Sequence, residues 1–167
     1  ESWYRYEAER YVVIRGLLSP DVLDVVVAYA HILGATDRFL ADPAIGRSMS
    51  CYGDAGFDAL LVSHLLVVSQ IVGVELAPTY SFARVYRRGD ELRRHRDRVA
   101  CEHSASIHLD SSGGTWPMEL ARVDGSTEAA ILAPGDAVLY RGIELPHWRT
   151  PCPTDWYLQV FLHWVET

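Results

Sequence analysis

The sequence Pro134-Gly135-Asp136-Ala137-Val138-Leu139-Tyr140 places three turn-forming residues directly before a short apolar run. Proline, glycine and aspartate each favour tight turns, for different conformational reasons. An apolar run of four residues that follows such a turn predicts a short strand over 137–140. This stretch is therefore typical of a β domain built from short strands and tight turns.

The same alternation of turns and short strands continues on both sides of this stretch, from Thr79 to near the end of the chain. Turn residues at 88–90, 111–114 and 124–125 separate the runs. The predicted strands are Tyr80–Tyr86, Arg93–Arg98, Ser104–Leu109, Trp116–Arg122, Glu128–Leu132, Ala137–Tyr140, His147–Thr150 and Trp156–Val165. Short strands in this number and spacing predict a double-stranded β-helix, the cupin-like jelly roll.

The chain before Thr79 is different, because it carries helical patterns. Ser19-Pro20-Asp21 is typical of a helix start, and Gly34 is a plausible end for that helix. A second helix is predicted from Phe57 to Val72. Residues 36–56, which contain several Pro and Gly, are predicted to form an irregular loop.

We therefore expect a mainly β fold in one domain over residues 1–167. Residues 1–78 would form a helical support, with two helices packed on the outer face, and residues 79–167 the jelly-roll core. The chain has 167 residues, 49% of them hydrophobic and 22% charged, as expected of a soluble globular protein. No apolar run is long enough to span a bilayer, and the first residues do not resemble a signal peptide.

Charge and cysteine content narrow the function classes. A net charge of −7 argues against nucleic acid as a partner. Three cysteines without zinc-finger spacing favour reduced thiols and a cytoplasmic location. All 15 basic residues are Arg, so a fixed cation that binds a carboxylate must be Arg, and a Schiff-base lysine is impossible.

His95-Arg96-Asp97 and the distant His147 supply the residue types of the 2-His-1-carboxylate triad, which holds non-heme Fe(II) with open coordination positions. On a strand, His95 and Asp97 would point to the same side. His147 begins the seventh predicted strand, and in a jelly roll the second and seventh strands can be neighbours at one mouth. We predict that the three side chains bind one metal ion, although an H-x-D pair on a polar strand can also be merely solvated.

Several segments together resemble the 2-oxoglutarate- and Fe(II)-dependent dioxygenases, in particular small bacterial members of the prolyl-hydroxylase-like branch. The resemblance covers roughly residues 79–165. It rests on the following segments in this order: Arg84-Val85-Tyr86-Arg87-Arg88-Gly89-Asp90, His95-Arg96-Asp97, Pro134-Gly135-Asp136, Pro146-His147-Trp148-Arg149 and Gln159-Val160-Phe161-Leu162-His163.

The resemblance implies a catalytic iron held by His95, Asp97 and His147, with 2-oxoglutarate and O2 as cosubstrates. Decarboxylation of 2-oxoglutarate would give succinate, CO2 and an oxidant that abstracts hydrogen from the substrate. Halogenases of this superfamily carry a small residue in place of the carboxylate. Asp97 therefore favours hydroxylation or desaturation.

The anchor for the distal carboxylate of 2-oxoglutarate departs from the family pattern. The family usually places Arg or Lys about ten residues after the second histidine, but that position is Tyr157, and residues 156–167 contain no Arg or Lys. Arg149 is the predicted replacement, because on a strand it shares a face with His147. Its alternative role is a surface salt bridge. Further candidates for contact with the cosubstrate are Arg84, Tyr80, Tyr86 and Gln159.

Seven arginines surround the H-x-D strand: Arg84, Arg87, Arg88, Arg93, Arg94, Arg96 and Arg98. They could form an ordinary solvated face or attract an anionic substrate such as a carboxylate or phosphate. The expected reaction is hydroxylation of an aliphatic carbon of a small molecule. A peptide or protein side-chain hydroxylase is the alternative enzyme, and a cupin-like metal-binding barrel without turnover is the alternative of another class. The sequence leaves the oligomeric state open.

Overall fold

Two antiparallel sheets form the body of the protein in the computed structural model, which describes residues 2–167. The larger sheet has the strand order β1-β9-β6-β11-β4-β3-β2 and the smaller one β5-β10-β7-β8. The strands are β1 Tyr11–Ile14, β2 Leu40–Ala41, β3 Met49–Tyr52, β4 Leu76–Arg87, β5 Leu92–His95, β6 His103–Ser111, β7 Met118–Ala121, β8 Thr127–Ala130, β9 Ala137–Arg141, β10 His147–Arg149 and β11 Trp156–Glu166. This is the predicted mainly β jelly roll.

The long strand β11 shows how the larger sheet divides the core. Its residues Leu158, Val160 and Leu162 pack in one apolar cluster with the helices, whereas Tyr157 and Phe161 belong to a second cluster on the opposite face. Side chains alternate between faces along a strand, so one strand serves both clusters. The inner face carries more polar groups, and it is the face that meets the smaller sheet.

Four helices cover the outer face of the larger sheet: α1 Ser2–Glu9, α2 Pro20–Ala35, α3 Ala55–Ser63 and α4 Leu65–Val72. A short 3-10 helix lies at Val99–Cys101. Helix α2 begins where Ser19-Pro20 predicted it. The predicted helix 57–72 is divided at His64, whose ring Nδ1 lies 2.8 Å from the Leu60 carbonyl oxygen.

The prediction that residues 1–78 form only a helical support is wrong, because three strands lie within them. Strand β1 pairs with β9, and β3 pairs with both β2 and β4. The predicted irregular loop 36–56 thus contains two strands and the start of a helix. These strands are short, and pairing with distant partners, more than their local pattern, determines them.

Within residues 2–167 no single helix has the length and apolar character needed to cross a membrane. Helices α3 and α4 meet these criteria only as a pair, bent by 47°.

The turn at Pro134-Gly135-Asp136 is held by a buried carboxylate. One oxygen of Asp136 accepts a hydrogen bond from the backbone N–H of Gly16 at 2.8 Å. The other accepts from the Arg15 guanidinium at 2.7 Å and from the backbone N–H of Ala133 at 3.0 Å. Burial opposes ionisation of Asp136, but these donors outweigh it and lower the pKa of the carboxyl group. The turn thereby ties β9 to the segment that enters α2.

We expect Asp136→Asn to destabilise the protein by about 1–2 kcal/mol at pH 7, because an amide cannot accept from all three donors. The pKa of Asp136 is lower in the folded than in the unfolded protein. Its contribution to the free energy of unfolding is therefore fully present above the unfolded pKa of about 4, and it is lost as the pH falls through the folded pKa. Urea unfolding at pH 7 and near pH 3 should therefore show a difference between the two proteins that narrows in acid. Asp155→Asn, on the exposed surface, is the control. An equal loss at both pH values would contradict this account.

Candidate metal centre

His95, Asp97 and His147 converge at one end of the smaller sheet. His95 and His147 are direct partners in the pairing of β5 with β10, and their ring centroids lie 4.3 Å apart. The Oδ1 atom of Asp97 lies 3.4 Å from the Nε2 atom of each histidine. Strand β5 ends at His95, so the prediction that Asp97 lies on the same strand is wrong. Its backbone N–H instead donates to the Gly142 carbonyl at 2.8 Å, which holds Asp97 beside the strand end.

Backbone carbonyl groups orient both imidazole rings. The Nδ1 atom of His95 lies 2.8 Å from the Arg93 carbonyl oxygen, and that of His147 lies 2.9 Å from the Leu145 carbonyl oxygen. A carbonyl can only accept, so each Nδ1 carries the proton and donates it. Each Nε2 is then directed at the Asp97 carboxylate. Metal-binding histidines are typically oriented by this second hydrogen bond.

The Asp97 carboxylate is positioned by two residues that the sequence reasoning did not identify. Ser104 Oγ donates to Asp97 Oδ2 at 3.2 Å and lies 2.8 Å from Nδ1 of His163. Gly142 packs so closely that an added Cβ would collide with Asp97 Oδ2 and with the Cys101 carbonyl oxygen. Burial opposes ionisation of Asp97, but the adjacent His147 and His95 imidazoles outweigh it and lower the pKa of the Asp97 carboxyl group well below the usual range.

The geometry of the triad fits an octahedral metal ion. The three ligand atoms lie within 4.8 Å of one another. With bonds of about 2.1 Å, adjacent ligands in an octahedral sphere lie about 3 Å apart, so only small movements would be needed. Two imidazoles and one carboxylate are the ligand set of non-heme Fe(II) sites, and three coordination positions remain open. These residues could therefore hold Fe(II).

A second group of potential ligands lies elsewhere, at Glu102, His103 and Glu166. His103 is fully buried, and its ring nitrogens lie 2.6 Å from Tyr6 Oη and 3.3 Å from Glu166 Oε1. These bonds join α1, β6 and β11. None of the three residues lines the cavity beside His95, and their contacts account for the burial of the histidine.

A cavity of about 800 Å³ opens beside the triad and extends between the sheets. It reaches Arg149, two residues beyond His147 on β10. Residues 44–46, within the predicted irregular loop 36–56, also line it.

Arg149 is a buried cation without a carboxylate partner among residues 2–167. Its side chain is 1% exposed, its guanidinium lies over the ring of Trp116 at 4.8 Å, and Nη1 donates to the Trp116 carbonyl. Its Nε and Nη2 atoms are buried and have no hydrogen-bond acceptor. Burial lowers the pKa of Arg149. The alternative role of Arg149, a surface salt bridge, is therefore not observed.

Arg84 is placed differently, although it lines the same cavity. Its Nε and Nη2 atoms lie 2.8 and 2.7 Å from Asp42 Oδ2, so its charge is already balanced. Its Nη1 donates to Tyr86 Oη at 3.1 Å. Tyr86 is fully buried and is not among the residues that line the cavity, whereas Tyr80 is half-buried and lines it.

Further buried polar groups on the inner face have no partner in residues 2–167. They are both amide atoms of Gln159, the Oγ atom of Ser106 and the Nε2 atom of His108. Gln159 lies directly opposite His108 in the β11–β6 pairing. The sequence reasoning named Gln159 but missed Ser106 and His108. Their signal was the alternation Ser104, Ser106, His108 against Ala105, Ile107, Leu109, which puts polar groups on one face of a buried strand.

Comparisons with known proteins place this arrangement in a known fold. No family model and no curated protein matches the sequence. A Pseudomonas putida prolyl-4-hydroxylase structure matches with a TM-score of 0.83 and 17% identity, covering 99% of this chain and 97% of that one. The chain has the fold of the 2-oxoglutarate- and Fe(II)-dependent oxygenases.

Two further structures share this fold. The α-ketoglutarate-dependent epimerase SnoN of nogalamycin biosynthesis matches with a TM-score of 0.83 and 14% identity, covering 98% of this chain and 79% of that one. HygX from Streptomyces hygroscopicus, with nickel and 2-oxoglutarate bound, matches with a TM-score of 0.75 and 13% identity. The match covers 98% of this chain and 85% of that one. The fold expected from the sequence is thus confirmed.

We expect Gly142→Ala to weaken metal binding by about tenfold or more, because the added methyl group displaces Asp97. Gly34→Ala is the matched control, since a Cβ there meets no atom within 4 Å. Calorimetric titration with Ni(II) measures the affinity, and urea unfolding verifies that both variants fold. A Gly142→Ala protein that binds Ni(II) as tightly as the unmodified chain would contradict this positioning role.

Proposed function

We propose that this protein is an Fe(II)- and 2-oxoglutarate-dependent oxygenase that hydroxylates an aliphatic carbon of a small molecule, with release of succinate and CO2. The observation that carries the proposal is the buried, uncompensated Arg149 beside the triad. A buried charge without a partner is costly, so such a group points to an anionic ligand. The fold and the ligand set of the triad support the same reaction class.

His95, Asp97 and His147 would hold the iron through the two Nε2 atoms and one carboxylate oxygen. When bound, iron with 2-oxoglutarate and O2 supplies the oxidant for the reaction. The protein's part is to leave three coordination positions open on the cavity side and to keep Asp97 ionised. Asp97 occupies the position that would otherwise admit a halide, which favours hydroxylation over halogenation.

Arg149 would bind the distal carboxylate of 2-oxoglutarate. Residues i and i+2 of a strand lie about 6.6 Å apart on the same face, which suits a five-carbon diacid that chelates the metal at its other end. A guanidinium can bind a carboxylate through two parallel hydrogen bonds, and burial strengthens them. Gln159 and Tyr86 are further candidate contacts. Arg84 is the weaker candidate anchor, because Asp42 already balances its charge.

The size of the cavity supports a small-molecule substrate. Pockets for small molecules commonly enclose about 300–1,000 Å³, and the cavity here has about 800 Å³. Two proteins of the same fold have been solved with small molecules, HygX with hygromycin B and SnoN with nogalamycin RO. At identities of 14%, the substrates of these two proteins cannot be assigned to this chain.

The reaction class is tested by adding Fe(II) anaerobically to the protein with 2-oxoglutarate. We expect an absorption band that requires both additions, and slow formation of succinate after O2 and ascorbate are supplied. His95→Ala and Asp97→Ala should abolish both signals, whereas Arg94→Ala, outside the cavity lining, should not. If neither the band nor succinate were observed, the oxygenase proposal would be refuted in favour of a metal-binding barrel without turnover.

The anchor is tested with Arg149→Met, which removes the charge but nearly keeps the volume. We expect the concentration of 2-oxoglutarate needed for half-maximal turnover to rise by about 30-fold or more, since charge-assisted hydrogen bonds are lost. Because the buried charge is uncompensated in the free protein, the free energy of unfolding should not fall. Unchanged 2-oxoglutarate dependence would refute the assignment, and a large loss of stability would indicate a structural role.

A further inference from the structure

The mouth of the cavity carries a cation that the proposed iron and cosubstrate sites do not use. Arg98 lies immediately after Asp97 and lines the cavity. Its guanidinium carbon lies 5.2 Å from the centre of the Tyr80 ring. Among residues 2–167 no carboxylate forms an ion pair with it, so its charge is available to a ligand.

Tyr80 holds the Arg98 side chain in place. The Nη2 and Nε atoms of Arg98 donate to Tyr80 Oη at 2.9 and 3.3 Å. The same oxygen shares a hydrogen bond with Cys101 Sγ, 2.9 Å away. The Tyr80 ring packs between its neighbours Tyr52 and His163, with centroid distances of 4.7 and 4.6 Å. These contacts orient the exposed Arg98 side chain beside the cavity.

Four other charged groups of the cavity have partners or proposed roles of their own. Arg84 is paired with Asp42, and Asp90 accepts from the backbone N–H groups of Arg47 and Arg87. Arg149 is the proposed anchor of the cosubstrate, and Asp97 is the proposed metal ligand. Arg93 also lines the cavity and forms no ion pair with a carboxylate in residues 2–167. Arg98 differs from it because Tyr80, another lining residue, binds its guanidinium, so Arg98 is the cation positioned to interact with the primary substrate.

An apolar surface lies in the same cavity. Phe82 and Phe161 line it, with ring centroids 6.1 Å apart. Their strands β4 and β11 pair directly, so the two rings form one continuous wall. Tyr80 and Phe82 lie two residues apart on β4, which places the apolar wall next to the cation.

We propose that the primary substrate is an amphipathic anion, with a carboxylate or phosphate at Arg98 and an apolar body against Phe82 and Phe161. Naming this molecule a substrate rests on the proposed function. The binding site itself requires no metal ligand. A charge-assisted contact to a guanidinium held in position recognises an anion, and the phenyl side chains supply an apolar surface for the rest of the molecule.

Binding is tested with three probes of similar size, phenylacetate, phenyl phosphate and the neutral phenylacetamide. Ligand-observed NMR titrations are made on the protein loaded with Ni(II) and 2-oxoglutarate, so that Arg149 is occupied. We expect one or both anions to bind about tenfold or more tightly than the amide, which corresponds to the loss of one charge-assisted hydrogen bond. The comparison of phenylacetate with phenyl phosphate distinguishes the two anionic groups. An amide that binds as tightly as both anions would overturn the proposal.

Variants locate the binding site of the anion. Arg98→Gln should reduce anion affinity to that of the amide, and Tyr80→Phe should weaken the anions but not the amide. The matched control is Arg94→Gln, whose parent side chain lies over Trp148 at 4.8 Å, outside the cavity lining. Unchanged anion affinity in Arg98→Gln, with a urea midpoint like that of the unmodified chain, would refute the assignment.

The failure of this inference can be distinguished from failure of the proposed function. The titrations are repeated without Ni(II) and 2-oxoglutarate, using Arg149→Met to remove the second cation. If anion binding still depends on Arg98 although the iron and 2-oxoglutarate tests fail, the anion site stands and the oxygenase proposal falls. If those tests succeed but no probe depends on Arg98, the oxygenase proposal stands and this inference falls.

Discussion

The pairing of β5 with β10 is the contact on which the site depends. It places His95 directly opposite His147, from parts of the chain separated by four intervening strands. Asp97 lies two residues beyond the end of β5, and its backbone N–H donates a hydrogen bond to the Gly142 carbonyl. A shift of one residue in this register would turn one imidazole to the opposite face of the sheet. The site is therefore a property of the strand register as much as of three side chains.

The interior between the sheets contains buried polar atoms without hydrogen-bond partners, which protein cores usually avoid. Arg149, Gln159, Ser106 and His108 carry buried polar atoms without partners in the described part of the chain. Each such atom costs stability in the free protein. The outer face of the larger sheet compensates, because the helices bury an extensive apolar cluster there. One sheet thus separates a stabilising layer from a binding layer.

Two arginines on the same cavity illustrate how context decides the role of a residue type. Arg149 was the predicted anchor and Arg84 a further candidate; Asp42 neutralises Arg84, whereas Arg149 forms no ion pair with a carboxylate in residues 2–167. Asp42 lies in a segment predicted to be an irregular loop. Its contact with Arg84 requires β2 and β3 to be placed beside β4.

By itself the sequence was sufficient to predict the jelly roll, the start of α2 and the metal-ligand candidates. These features depend on local signals, namely turn residues, period-two alternation, a helix cap and an H-x-D pair. It could not predict β1 and β3, the division of the second helix at His64, or the positioning of Asp97 by Ser104 and Gly142. The two strands and the Gly142 contact depend on residues far apart in the chain, which leave no local pattern. The division at His64 and the Ser104 contact are closer in sequence, but they depend on side-chain hydrogen bonds that the sequence pattern does not mark. Only the tertiary structure decided which arginine is uncompensated, because ion pairing depends on which carboxylate the folded chain brings within reach.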